Sequence, residues 1–281
     1  WIWGRKEISS LEDANVHWDG YDTGVRYADL YIGKLLDLLE SMGVLHETAI
    51  IVAADHGENL GELNVWGDHQ TADEFTCHIP AVVRWPGVTD ECAGAMRAGF
   101  GYHLDLSTTI LDLAGEGGAD MAAKAGWDGR SMRETIVSDA PGREELFLSQ
   151  GAWSMQRSLR WENWLLIWSR HTGFKDFPEW MLFDLAADPH ETKNLASLRP
   201  DLVSQGKARI EEWFSAQTAK CPLGDPFDVI EGEGGPLHAN HTARDFEPFL
   251  TRLRATGRAE AAEWLETHHG APRPPEISIH G

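Results

Sequence analysis

The sequence predicts an α/β protein continued by a smaller α+β unit, in which an antiparallel sheet carries one packed helix. Three observations carry that prediction. A helix-spaced run at residues 21–42 leads into the unbroken apolar run Ala49-Ile50-Ile51-Val52-Ala53, the order of a helix feeding a buried strand. Four short strand candidates follow between residues 145 and 185 at hairpin spacing. A second helix-spaced run at 201–216 comes after them, with Leu202, Ile210, Trp213 and Phe214 on one side.

The first helix places Val25, Leu30, Ile32, Leu35, Leu36, Leu38 and Leu39 at helical spacing and ends at Gly43, which suits a left-handed cap. Tyr27 and Asp29 on it read as packing and surface residues, and residues 1–20 carry little signal. The β-branched strand that follows has no polar interruption and reads as buried on both faces. It stops at Asp55-His56-Gly57. A carboxylate and an imidazole side by side at a strand end, with a glycine that lets the backbone turn, can aim an oxygen and a nitrogen at one metal ion. Carboxyl ends of strands are also where open α/β sheets bind ligands.

The connection from Glu58 to Phe75 is long, polar and glycine-containing, the kind of loop that carries function. Glu58, Asn59, Trp66 and Asp68 are placed to line a pocket, and Trp66 reads either as a stacking surface for a sugar ring or as a lid on the core beneath it. A second strand at residues 81–85 ends in Pro86-Gly87. Residues 102–115 form a helix that Asp105 or Ser107 can cap, with Ile110, Leu111, Leu113 and Ala114 facing inward and Gly115 as its stop. His103 at its start reads as a satisfied structural histidine.

A Gly- and Ala-rich stretch from 115 to 129 marks a boundary. The expected strands then lie at 145–149, 154–161, 164–170 and 180–185, and Trp153, Trp161, Trp164, Trp168 and Trp180 crowd this sheet, where burial is favoured over carbohydrate stacking. The expected division is 1–115, 116–220 and an extension over 221–281 with an amphipathic stretch at 246–265. Asn240-His241-Thr242 fits a glycosylation acceptor, a triplet common by chance, and His268-His269 lacks a partner at ligand spacing.

Composition bounds the function. The 281 residues are 42% hydrophobic, enough for real cores. A formal charge of -21 argues against nucleic acid and anionic membrane surfaces, because long-range repulsion slows polyanions. An anionic substrate then needs a locally positive site. Cys77, Cys92 and Cys221 are too few and too odd for a disulfide framework. No apolar run approaches the roughly 18 residues of a membrane span.

Several of these signals stand in one order. Asp55-His56-Gly57 is followed by His69-x-Thr71-x-x-Glu74-x-Thr76-x-His78-Ile79-Pro80, then by a strand ending in Arg84-Trp85-Pro86-Gly87. Tyr102-His103-Leu104-Asp105-Leu106 opens the next helix, Asp128-Gly129-Arg130-Ser131 makes a turn, and Leu182-Phe183-Asp184-Leu185-x-x-Asp188-Pro189-x-Glu191-Thr192-x-Asn194-Leu195 follows the strands. This series resembles the second half of a sulfatase of the alkaline phosphatase superfamily. The resemblance implies the C-terminal part of an alkaline-phosphatase-like α/β sheet domain plus the small subdomain with an antiparallel sheet.

The same resemblance implies a sulfuric ester hydrolase, with a sulfated carbohydrate or other small sulfated molecule as substrate. It makes Asp55 and His56 metal ligands, and His69 the catalytic and substrate-binding residue, with Glu58 and Trp66 also lining the substrate pocket. His69 stands at or one place after the family's substrate-gripping Lys, whereas alignment on Trp66-Gly67 puts Asp68 there. Calcium is the family's usual ion, and an imidazole donor also admits manganese or zinc. The family's nucleophile motif, Cys-x-Pro/Ala-x-Arg or its Ser version, fits none of the three cysteines. The expectation is therefore a C-terminal half, inactive alone, from a family with periplasmic or secreted members. A phosphodiesterase or phosphonate monoester hydrolase of the same superfamily, and a non-catalytic binding module, are the competing readings.

Overall fold

The computed structural model describes residues 8–151, 154–171, 176–220, 224, 225 and 227. The expectations for Trp153, Cys221, Asn240, the 246–265 stretch and His268-His269 lie outside the described residues.

Helix α1 spans Leu11–Ser41, so it begins at Leu11 rather than near residue 21. The signal for the earlier start is Ser10, whose hydroxyl accepts the Asp13 N–H at 3.1 Å and satisfies one of the free donors of the first turn. Gly43 ends the helix with φ at 72°, a backbone shape that L side chains avoid. Of its 31 residues only Ala14 and His17 are buried.

Strand β1, Ile50–Ala53, leaves Asp55 at its carboxyl end. A short hairpin follows, β2 at Asn59–Leu60 against β3 at Trp66–Asp68, then a one-turn helix α2 at Glu74–Cys77. The chain returns as β4, Ala81–Arg84, antiparallel to β1 with Ile50 opposite Arg84 and Ala53 opposite Ala81. Residues 54–80 are therefore one long loop thrown from the same end of a two-stranded ribbon. The strand predicted to be buried on both faces is only half-buried, and Val82 on its partner is 61% exposed. A two-stranded ribbon cannot cover both of its own faces.

Helix α3, His103–Leu113, buries Asp105, Thr108, Thr109 and Leu113. Ile110, expected inside, is exposed, because the inner face is built on polar anchors instead. Asp105 accepts the Tyr102 and Arg130 N–H groups at 2.8 and 2.7 Å and a bidentate grip from Arg143 at 2.9 and 2.5 Å. Burial works to raise its carboxyl, and these donors overcome that and hold it below the ordinary range. The Gly- and Ala-rich stretch folds as α4, Gly118–Ala125, with Gly118 so close to α3 that a Cβ there would overlap the Thr108 carbonyl. Helix α5, Arg133–Ser138, leads to the sheet.

The four expected strands form a meander, β5 (Glu145–Gln150), β6 (Met155–Trp161), β7 (Trp164–His171) and β8 (Trp180–Asp184), in the order β5-β6-β7-β8. Side chains alternate between faces, as strand geometry requires. Phe147, Leu159, Trp161, Leu166 and Leu182 pack on one face under helix α6, Pro200–Thr218, through Ile210, Trp213 and Phe214. Leu165, Ile167, Met181 and Phe183 fill the other, where Leu63 of the 54–80 loop lies against them.

Candidate active site

The loop after β1 is folded largely by polar contacts, to which Leu63, Val65 and Ala72 add apolar ones. The Gly57 N–H donates to the Thr76 carbonyl at 2.8 Å, and a Cβ on Gly57 would overlap the Phe75 carbonyl oxygen. Gly57 is thus required for close backbone approach, a different reason from the turn expected of it. Beneath it, Asp73 caps α2 by accepting the Thr76 N–H at 2.7 Å, and it also accepts from Asn59 Nδ2 at 2.5 Å and the Thr71 hydroxyl at 2.9 Å. Asn59, Thr71 and Asp73 are completely buried. A buried network of this kind is stable when its members are satisfied, and Asp73 has three donors.

That frame brings Asp55, His56, Glu58 and His69 together. His56 Nδ1 donates to the Gly57 carbonyl at 2.7 Å, so Nε2 carries the lone pair, 3.8 Å from Asp55 Oδ2. Two donors each about 2.0–2.5 Å from one ion can stand that far apart. The Asp55 carboxyl is held below its ordinary range, first by its own backbone amide, then by the charge of His56 and the His56 N–H. His69 lies over His56 with ring centroids 3.7 Å apart and planes 23° apart. Its Nδ1 donates to Glu58 Oε2 at 3.3 Å. Donor atoms of His56, Glu58 and His69 all fall within 4.8 Å of one another, so His56 is common to two possible donor sets.

Four supports of this cluster come from distant sequence. Gln150 Nε2 donates to the His69 carbonyl at 2.8 Å, and the Ser154 hydroxyl to that of Gln70 at 2.5 Å, tying the loop to the small sheet. The Ala72 N–H donates to Gln156 Oε1 at 2.9 Å. His103 Nε2 donates to the Ala54 carbonyl at 2.7 Å, pinning the strand end next to Asp55 and satisfying the ring as expected. Tyr21 of α1 also borders the cluster. Burial, then the charges of Glu58 and Asp22, push its phenol up. Tyr27, read as a packing or surface residue, stands 62% exposed with its ring against Tyr31.

Trp66 is turned toward α1, edge-on to His17 at 5.8 Å and stacked on Trp18 at 6.2 Å. Trp18 Nε1 donates to the Leu60 carbonyl at 2.7 Å. His78 and Glu74 hold the loop: Glu74 pairs with His78 at 3.1 Å and with Arg160 of β6 at 3.3 Å. Burial works to raise the Glu74 carboxyl, and the bond from His78 and the charge of Arg160 overcome it.

This arrangement of sheets and helices is that of an alkaline-phosphatase-like α/β fold. The solved structure of BT4656 in complex with its substrate D-glucosamine-2-N,6-O-disulfate superposes with a TM-score of 0.56 at 24% identity, covering 68% of this chain and 39% of that one. Within that fold, the sulfatase family model matches residues 7–116. The chain is 26% identical over 190 residues to the N-acetylglucosamine-6-O-sulfatase of Bacteroides thetaiotaomicron, covering 62% of this chain and 31% of that protein. It is 31% identical over 186 residues to the multifunctional alkaline phosphatase superfamily protein PehA of Trinickia caryophylli, covering 59% and 33%. The chain thus spans about a third of the length of these relatives.

Proposed function

We propose that these residues supply the metal-binding wall and part of the anion-binding wall of a sulfuric ester hydrolase that acts on a sulfated carbohydrate. The observation that carries the reading is the convergence of Asp55, His56 and His69 at the end of β1, within residues 7–116 that match the sulfatase family model. The carbohydrate follows from the sugar sulfatase to which the chain is similar. Asp55 and His56 Nε2 would hold a divalent ion, for which we propose calcium. The imidazole donor leaves manganese and zinc as the competing ions. When bound, such an ion supplies Lewis-acid stabilisation of the sulfate charge.

The remaining roles follow from hydrogen-bond geometry. Glu58 accepts from His69 Nδ1 and orients the ring so that, when it is protonated, the Nε2 N–H would donate to a sulfate or leaving-group oxygen. This gives His69 the catalytic role and makes Glu58 its orienting partner on the substrate side. The contacts of Trp66 support a role in seating α1. The positive potential that an anionic substrate needs in a chain of net charge -21 would come from the divalent ion.

The likeness to a multifunctional superfamily protein favours one second reading, a phosphodiesterase or phosphonate monoester hydrolase. Turnover of matched sulfate, phosphate and phosphonate esters by the full-length gene product separates the two. The proposal expects the sulfate ester to be cleaved with the highest kcat/KM. Faster cleavage of the phosphorus esters would overturn it. Unchanged metal binding and activity in Asp55→Ala would favour a non-catalytic module.

A further inference from the structure

The turn at residues 188–191 is far in sequence from the site, yet it grips the site loop from two sides. His190 stacks on Phe75, with centroids 5.6 Å apart, and its Nδ1 stands 3.6 Å from Glu62. Glu191 is 3% exposed and accepts the Glu74 N–H, at the first residue of α2, through Oε1 at 2.9 Å. Its backbone holds φ at 53°, a left-handed shape that strains a non-glycine residue. Asp188 stabilises that turn by accepting the Thr192 and Lys193 N–H groups at 3.1 and 2.8 Å and the Thr192 hydroxyl at 2.9 Å.

Three acids meet where Glu191 is buried, and their donors differ. Asp73 has three hydrogen-bond donors. Glu74 has Arg160 and His78. Glu191 has the single N–H of Glu74, and its Oε2 has no partner among the described residues. The other groups facing it are the Cys77 thiol, which burial pushes up, and Asp188 of its own turn. No cation answers Glu191 directly among these groups, since Arg160 is engaged by Glu74. A carboxylate desolvated beside other carboxylates is the member that keeps its proton.

We propose that Glu191 is a positioning residue, a latch joining the 188–191 turn to the first turn of α2 and so fixing the loop that carries Glu58 and His69. The inference rests on reading those two as site residues only for its consequence, not for the latch itself. Glu191 works as the neutral acid. Burial, then the charge of Asp73, push its carboxyl up to about 9.

The test compares Glu191→Gln with Glu191→Ala in the full-length protein, by amide hydrogen exchange over residues 69–78 and by titration with manganese. The Gln variant keeps the shape and the acceptor without the charge. It should retain exchange protection and manganese affinity within about twofold, whereas the Ala variant should lose about tenfold in protection at residues 74–77. Gln behaving like Ala, or Ala exchanging like wild type, would overturn the latch. Should the Ala variant not fold, the pH series decides. Wild-type protection, relative to intrinsic exchange rates, should fall above about pH 9 and that of Gln should not. Parallel profiles would overturn the proposal. A wild type that binds no manganese, yet shows the same contrast between Gln and Ala, would sink the metal-site reading and support the latch.

Discussion

The four-stranded sheet and the ribbon that leads to Asp55 are built from comparably apolar strands, but they are stabilised in different ways. Strands β5 to β8 are covered on both faces, and Leu159, Leu165, Leu166, Ile167 and Leu182 are fully buried. Among the described residues β1 and β4 are at most half-buried, and α1 shows Val25, Leu30, Leu35 and Leu38 more than half exposed. What holds the 54–80 loop in shape is instead largely the polar network through Asn59, Thr71, Asp73, Gln156 and Glu191. The sheet acts as a rigid base against which a hydrogen-bonded loop aims its chemistry. Binding residues commonly sit on such loops, because a loop can place several different groups around one point.

The comparison predicts a hierarchy of variant effects. Leu166→Ala opens a cavity between two closed layers and should cost ~2–5 kcal/mol in denaturant unfolding. Leu35→Ala, at 56% exposure, should cost under about 1 kcal/mol. Equal losses would mean that α1 is covered as completely as the sheet, and the contrast between the two regions would fail. Gly57→Ala comes next. The overlap of its Cβ with the Phe75 carbonyl should displace the loop and weaken metal binding at least about tenfold, with a smaller loss of global stability than Leu166→Ala. Calorimetric titration and thermal melts of one sample would separate the two effects.

A smaller, pH-dependent effect concerns Glu191. Its folded-state carboxyl lies at about 9, above its ordinary value of 4.5, so the folded chain holds a proton that the unfolded chain releases between those values. The contribution is fully present below pH 4.5, declines as pH rises, and is lost above about 9. Glu191→Gln removes the dependence. Its melting temperature should exceed that of wild type at pH 8 by more than at pH 5. Curves that stay parallel between those pH values would mean that Glu191 is ionised in the folded protein.

Much of the architecture was legible from short-range pattern. The strands of the meander were readable from their short lengths and hairpin spacing, and α6 because Leu202, Ile210, Trp213 and Phe214 share one helical face. The start of α1 was missed because a single serine cap at Ser10 carries it, with no strong apolar spacing behind it. The burial of β1 was over-read, since an apolar run does not say how many strands will lie beside it. Asp55, His56, Glu58 and His69 stood out through residue type and order. Their supports did not, because Glu191 and Glu74 are 117 positions apart and Gln150 and His69 are 81 apart. Contacts of that range are set by tertiary packing, which local pattern does not encode.

The most direct measurement is the divalent metal content of the purified full-length protein, wild type against Asp55→Ala, His56→Ala and His69→Ala, alongside sulfate ester turnover. The account predicts that Asp55→Ala and His56→Ala lose most of the metal and the turnover together. It predicts that His69→Ala keeps the metal and loses turnover. Full metal occupancy in Asp55→Ala, with loss of the ion in His69→Ala, would contradict it and assign the ion to His56, Glu58 and His69 instead.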